Sequence, residues 1–394
     1  MKYIQLGNLV ELKQGMAINA KSNHLVSKEE TPLALLRIAD MPTKSKVIFM
    51  SVNTPERFIA SEDDIIYTRT GQVGLVFRKQ QGVVHNNCFR VIPNSEEKLD
   101  KGYLYWYLSL NSIRNFANSI ASGSAQPDLP HSTFKKIRIC LPYITSQKKI
   151  AKILDQYDLL IENNNKRIKL LEQMAENLYK EWFVRFRFPG YEDVEFENGI
   201  PNEWEIKRLF EFGKIETGKT PSKERDQNYG GDIMFIKTPD MHDNIYVIST
   251  DEFLSTEGHL TQPKKLLPEN SIMVSCIGTG SVVAINDKPA HTNQQINSII
   301  LNKSEYLEWL YFVCKNLKET IEMFGATGST MTNLSKGKFE KLKIVFPPEK
   351  IILEYHELTK NLFIEVRVLL HKNELLTKQR DMLLPRLMSG KLEV

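Results

Sequence analysis

The chain has 394 residues, enough for two or three domains with cores of their own. Its 25% charged and 41% hydrophobic residues are ordinary for a soluble globular protein, and a net charge of +4 is too small to name a polyanionic partner. Four scattered cysteines without paired spacing argue against a zinc or disulfide framework and fit a reducing cytoplasm. No stretch reaches membrane-spanning length, and the first residues, Met1-Lys2-Tyr3-Ile4, do not read as a secretion signal. In chain order, short β-rich runs (Asp64–Thr68, Val83–Ile92, Ile137–Leu141) alternate with Gly, Asn and Pro punctuation, and a helix is expected near Tyr103–Ser119. A long helix is expected from Ser146 to Phe183. Its apolar seam is Ile150, Ile153, Tyr157, Leu160, Leu171, Met174 and Leu178, interrupted at Asn164 and Arg167. Phe188-Pro189-Gly190 ends it, and 190–201 reads as an acidic linker. A short helix is expected again over Tyr306–Phe324. A second long helix follows over Glu349–Met388, opened by Pro348 and the acid Glu349, with Leu358, Leu362, Val366, Leu369, Leu376 and Leu383 in its seam and Pro385 followed by Ser389-Gly390 at its close. The simplest burial for both seams is against each other.

The chain repeats itself at a shift of about 205 residues, far beyond a solenoid period. Ala121-Ser122-Gly123-Ser124, Leu129, Phe134 and Leu141-Pro142 recur as Ala326-Thr327-Gly328-Ser329, Leu334, Phe339 and Phe346-Pro347. Asp40-Met41 recurs as Asp240-Met241, His85-Asn86-Asn87 as His291-Thr292-Asn293, and Tyr103-Leu104-Tyr105-Trp106 as Tyr306-Leu307-Glu308-Trp309. Several matches in one order mean duplication, with a long helix after each copy.

Most candidate chemistry fails on context. Gly213-Lys214-Ile215-Glu216-Thr217-Gly218-Lys219-Thr220 spells a phosphate-binding loop, but Pro221 follows and no helical period comes after it, so a turn between β-segments is expected. Gly278-Thr279-Gly280-Ser281 lacks the third glycine of a dinucleotide fingerprint. His85 and His291 read as hydrogen-bonded structural residues, and no acid, base and nucleophile set is present. What remains is polar readout chemistry. Arg, Asn, Gln, Ser and Thr pair with phosphates and base edges, and they collect in corresponding loops of both copies. The expected DNA contacts are Arg69, Thr70, Gln72, Asn86, Asn87, Ser124 and Gln126 in the first copy, and Thr279, Asn293, Gln294, Ser329 and Thr330 in the second. Lys135, Lys136, Arg138, Lys336, Lys338, Lys341 and Lys343 add flanking positive charge. Leu178, Trp182 and Phe183 are expected to pack or to dock a partner.

These features resemble the specificity subunits of Type I restriction–modification enzymes. The stretch Leu171 to Phe183 is similar to the close of that family's central helix, Arg380 to Leu392 to its C-terminal counterpart, and Leu209 to Pro221 to the opening of a recognition domain. Gly15-Met16 in the first copy departs from the Lys-Thr-Pro ending of that opening. The resemblance implies an α/β (α+β) fold: two duplicated target recognition domains separated by two long antiparallel coiled-coil helices, with pseudo-two-fold symmetry. The segments would be a first recognition domain over 1–145, a central helix over 146–188, a linker and second recognition domain over 189–347, and a C-terminal helix over 348–394. It implies a non-catalytic cytoplasmic subunit that reads a bipartite target in double-stranded DNA. Two modification subunits would carry adenine methylation with S-adenosylmethionine. Restriction subunits, where present, would bring ATP and Mg2+. No cofactor is expected on this chain. Helices of about 35 residues span roughly 50 Å, compatible with half-sites about 34–36 Å apart. A non-catalytic coiled-coil adapter with duplicated protein-binding domains is the competing expectation.

Overall fold

The computed structural model describes residues 2–123, 125–242, 244–276, 282–317 and 334–394. Two compact units emerge, 1–161 with 376–394, and 162–375. The division falls inside each long helix, so compact units and the four sequence segments are different partitions of the chain.

In unit 1 the first strand, β1 (Lys2–Gln5), is followed by β2 (Val10–Gln14), β3 (Leu33–Leu36), β4 (Ile65–Thr68), β5 (Val76–Phe77), β6 (Gly82–Val84) and β7 (Cys88–Pro93). Helices α1 (Lys101–Leu108) and α2 (Asn111–Ile120), then β8 (Arg138–Leu141), lead into α3 (Ile144–Tyr179). The main sheet runs β2-β7-β4-β5. Strand β3 pairs parallel with β6 through Leu35–Val83, and β1 pairs antiparallel with β8. The expected strand Val83–Ile92 is thus two strands, split where His85, Asn86 and Asn87 turn the chain. The helix expected over Tyr103–Ser119 is also two, broken at Ser109 and Leu110. Asp100 caps α1 by accepting the Tyr103 amide at 2.8 Å, which satisfies an orphan donor of the first turn.

Unit 2 repeats this order. Its elements are β9 (Glu205–Arg208), β10 (Gly213–Thr217), β11 (Tyr229–Ile236), β12 (Ile272–Ser275), β13 (Val283–Asn286), β14 (Ala290–Thr292), β15 (Ile296–Leu301), α4 (Leu307–Asn316), β16 (Lys343–Phe346) and α5 (Glu349–Met388). The sheet runs β10-β15-β12-β13, with Tyr246–Val247 added at the edge. Strand β11 pairs parallel with β14, and β9 antiparallel with β16. The duplication seen in the letters is therefore a duplication of strand order and strand direction. Gly213–Thr217 is a strand, and no helix opens at Lys219, so the apparent nucleotide loop is absent.

The helices run antiparallel within each unit. In unit 1, Ile150, Ala151 and Leu154 of α3 share a core with Leu384, Leu387 and Met388 of α5 and with Trp106 of α1. In unit 2, Ile168, Ala175 and Tyr179 of α3 share one with Ile352, Tyr355, Phe363 and Val366 of α5 and with Phe312 of α4. The expected seam needs correction, because Leu160, Met174 and Leu358 are exposed. Each helix packs against a strand-bearing layer as well as its partner helix, so its buried stripe is set by two neighbours. Asn164, which interrupts the seam, and its neighbour Asn165 exchange amide hydrogen bonds with Asn373 at 2.8 and 2.7 Å. Polar pairs of this kind fix the register of a helical seam at some cost in stability. Helix α3 ends in a π turn over Lys180–Val184. Helix α5 continues through Pro385 to Met388 and closes at Ser389-Gly390 as expected, with Gly390 left-handed at φ 69°. A proline there leaves unpaired only the carbonyl of exposed Asp381, which water can serve.

Candidate nucleic-acid interface

In unit 1, three loops meet at one end of the main sheet. Strand β4 delivers Arg69 and Thr70, the turn after β6 carries Asn86 and Asn87, and the chain after α2 brings residues 121–123 and 125–130. The Arg69 and Thr70 amides both bond the Asn87 carbonyl, at 2.8 and 3.3 Å, and the Gly71 amide bonds the Pro127 carbonyl at 2.8 Å. Ser122 and Asp128 exchange backbone bonds at 2.9 and 2.8 Å. Arg69 donates from Nε and NH2 to the two carboxylate oxygens of Asp128, at 3.0 and 2.6 Å, and from NH1 to Gln14 Oε1 at 3.2 Å. Thr70 Oγ1 donates to the same carboxylate at 2.6 Å. Gln14 Nε2 donates to the Asn86 carbonyl at 2.5 Å, which ties the end of β2 to the turn. Hydrogen bonds from Arg69 and then Thr70 hold the Asp128 carboxyl below its usual range despite some burial. Burial, with Arg37 nearby, lowers His85, so its ring is neutral at pH 7.

Of the expected contacts in this unit, Gln72 and Gln126 are exposed, and neither side chain has a hydrogen-bond partner among the described residues. Asn86 and Asn87 are half-buried, and their carbonyls are used by the scaffold. Arg69 and Thr70 are engaged by Asp128. Ser124 lies outside the described residues. Asp128 and Gln14 carry the local network, and sequence reasoning missed both. Asp128 sits 59 residues from Arg69 and belongs to no motif, so only the fold brings them together.

The corresponding end of unit 2 is built from the chain after β10, the end of β12 and the turn after β14. Lys219 donates its amide to the Thr292 carbonyl at 2.9 Å, and Thr220 Oγ1 donates to Gln294 Oε1 at 2.5 Å. Asn293 is buried. Its Oδ1 accepts the Gln295 amide at 3.1 Å and its Nδ2 donates to Gln295 Oε1 at 3.3 Å. Gln294 is exposed. Gly218 lies so close to the turn that a Cβ would meet the Asn293 carbonyl oxygen at 2.1 Å, which explains this glycine without any phosphate. His291 is fully buried beside His259, with Nε2 and Nδ1 3.0 Å apart. Burial, reinforced by His259, lowers its pKa to about 4. Thr279, Ser329 and Thr330 lie outside the described residues.

Of the residues expected to pack or to dock a partner, two are found packed. Trp182 and Phe183 are only 7% and 9% exposed, inside the unit 2 core against Tyr355, Trp204 and Trp309. They pack the chain's own interior. Leu178 is half-buried at the edge of the same core.

The family described as the Type I restriction modification DNA specificity domain matches residues 1–173 and 201–355. The chain belongs to this family. Among its relatives within Type I restriction enzymes, the HindI specificity subunit of Haemophilus influenzae is 28% identical over 98% of this chain and 94% of that protein. The MjaIX specificity subunit of Methanocaldococcus jannaschii is 29% identical over 84% of this chain and 78% of its own length. A Type I restriction–modification S subunit from M. genitalium superposes with a TM-score of 0.61 at 14% identity, covering 98% and 95% of the two chains, and so shares the fold. As a member of the specificity family the chain serves DNA sequence specificity, and its two matched segments each contain one of the polar sheet ends described above. No helix among the described residues is long and apolar enough to cross a membrane.

Proposed function

We propose that each unit reads one half of a split DNA target through the loops at the polar end of its main sheet, and that the stretch between the halves goes unread. The observation that carries this reading is the repeated scaffold. The same strand order, with the same parallel pair beside it, presents polar loops at the corresponding end in both units. Loops that differ on a shared scaffold can read different bases, because base edges are told apart by the donors and acceptors brought to them. The chain itself is non-catalytic and works in the cytoplasm. Two modification subunits bring adenine methylation with S-adenosylmethionine, and restriction subunits, where present, bring ATP and Mg2+. A target adenine must leave the duplex before it can be methylated, so the reader also holds DNA in register for its partner. The test is co-expression of this chain with its methyltransferase subunit, followed by mapping of methylated adenines. A bipartite motif with an unread spacer is expected. A continuous motif would refute the reading.

A further inference from the structure

The polar end of unit 1 contains a cation whose charge is already matched. Arg69 is 24% exposed, yet its fork closes on both oxygens of Asp128, and its remaining nitrogen reaches Gln14. Thr70 adds a hydroxyl to the same carboxylate. These bonds join the loop after β4 to the loop after α2 and, through Gln14, to the turn after β6. Gln72 and Gln126 stand exposed on two of the loops so joined.

We propose that Asp128 is a positioning residue of this interface: it holds Arg69 as a strut between loops and away from DNA phosphates, leaving base reading to the amides of Gln72 and Gln126. This rests on the DNA-reading function proposed above. The physical case has two parts. A free guanidinium on a reading surface binds phosphate in any sequence, which adds affinity without discrimination. A bidentate arginine–carboxylate pair has a fixed fork geometry, so it transmits position between loops better than a single bond does. Glutamine amides need that support, since bidentate pairing with an adenine edge tolerates little displacement.

The test uses the full chain in complex with its methyltransferase subunits. Affinity is measured across a salt series for a duplex carrying the methylated sequence and for a duplex scrambled in the unit 1 half-site. For Asp128→Asn, the slope of log affinity against log salt should steepen by about 0.9 on both duplexes, because a released Arg69 gains one phosphate. Preference for the correct half-site should fall by about tenfold or more, the scale of one lost base contact. For Arg69→Gln the preference should fall similarly while the slope stays at the wild-type value, and the double variant should show the wild-type slope. Should Asp128→Asn fail to fold, Arg69→Gln alone decides the matter. A slope shallower by about 0.9 in Arg69→Gln would make Arg69 an existing phosphate contact and overturn the proposal. Wild-type preference retained in either variant would overturn it too. A wild-type complex with no preference for its own methylated sequence would instead remove the DNA-reading function itself.

Discussion

The buried carboxylate of Asp287 gives the sharpest energetic test of how unit 2 holds its long helix. Asp287 follows β13 and is 0% exposed. Arg367 of α5 donates Nε to its Oδ1 and NH2 to its main-chain carbonyl, both at 2.5 Å, and His371 Nε2 lies 3.0 Å from the same Oδ1. The second carboxylate oxygen has no hydrogen-bond partner among the described residues. Arg367 is 30% exposed, so the two halves of the pair are unequal. Arg367→Met keeps the aliphatic stem but strands the buried carboxylate with the His371 ring in place of its arginine, at a cost of about 3–5 kcal/mol. Asp287→Asn leaves a neutral acceptor opposite a cation that reaches water, at a cost of about 1 kcal/mol. For a unit of roughly 150–250 residues these become losses in Tm of about 6–20 °C and about 2–4 °C. Three of the four tryptophans, Trp182, Trp204 and Trp309, lie in unit 2, so intrinsic fluorescence during urea or thermal unfolding of the full chain reports chiefly on it. The double variant should be better than additive by about 2 kcal/mol, since removing the carboxylate relieves the stranding. Equal single-variant losses that simply add would refute the argument that a buried charge deprived of its arginine sets the cost.

Other consequences can be read in the same way. His291 has a folded pKa of about 4 against an ordinary value of 6.5, so the unfolded chain takes up a proton first as pH falls. Stability should therefore be full above about pH 6.5 and decline between there and about pH 4, and His291→Phe should flatten that decline in unfolding measured at stepped pH. Gly218→Ala should destabilise unit 2 by about 1–3 kcal/mol in urea unfolding, because its Cβ has no room beside the Asn293 and Thr292 carbonyls. Lys219→Ala should leave both stability and labelled-ATP binding unchanged, as no nucleotide loop exists there. Inserting four residues into α3 within 161–169, with a matching turn in α5 near Leu375, adds about 6 Å to each helix. That should lengthen the unread spacer by one or two base pairs of about 3.4 Å each, and methylome sequencing that returns the original spacer would sink the idea that the helices set it.

The periodic features of this protein are written in its letters. The apolar spacing of α3 and α5, the 205-residue repeat and the Asp40-Met41 echo of Asp240-Met241 are local or self-comparing signals. They need no partner to be read. Glu349 as the start of α5 was legible for the same reason, since a proline and an acid mark a helix entry. The apparent nucleotide loop could also be set aside from sequence, because Pro221 and the missing helical period contradicted it. What the letters could not say is which polar groups are free. Arg69 and Gln72 look alike as readers, yet one is closed on a carboxylate 59 residues away and the other is open to water. Trp182 and Phe183 resemble docking residues until Tyr355 and Trp309 arrive from later in the chain to cover them. Leu160, Met174 and Leu358 fit a helical seam, but each helix also meets a strand layer, and that second neighbour turns them outward. Spacing along a chain fixes what a residue is able to face. Its partner is chosen by elements distant in sequence, so availability for DNA belongs to the tertiary structure.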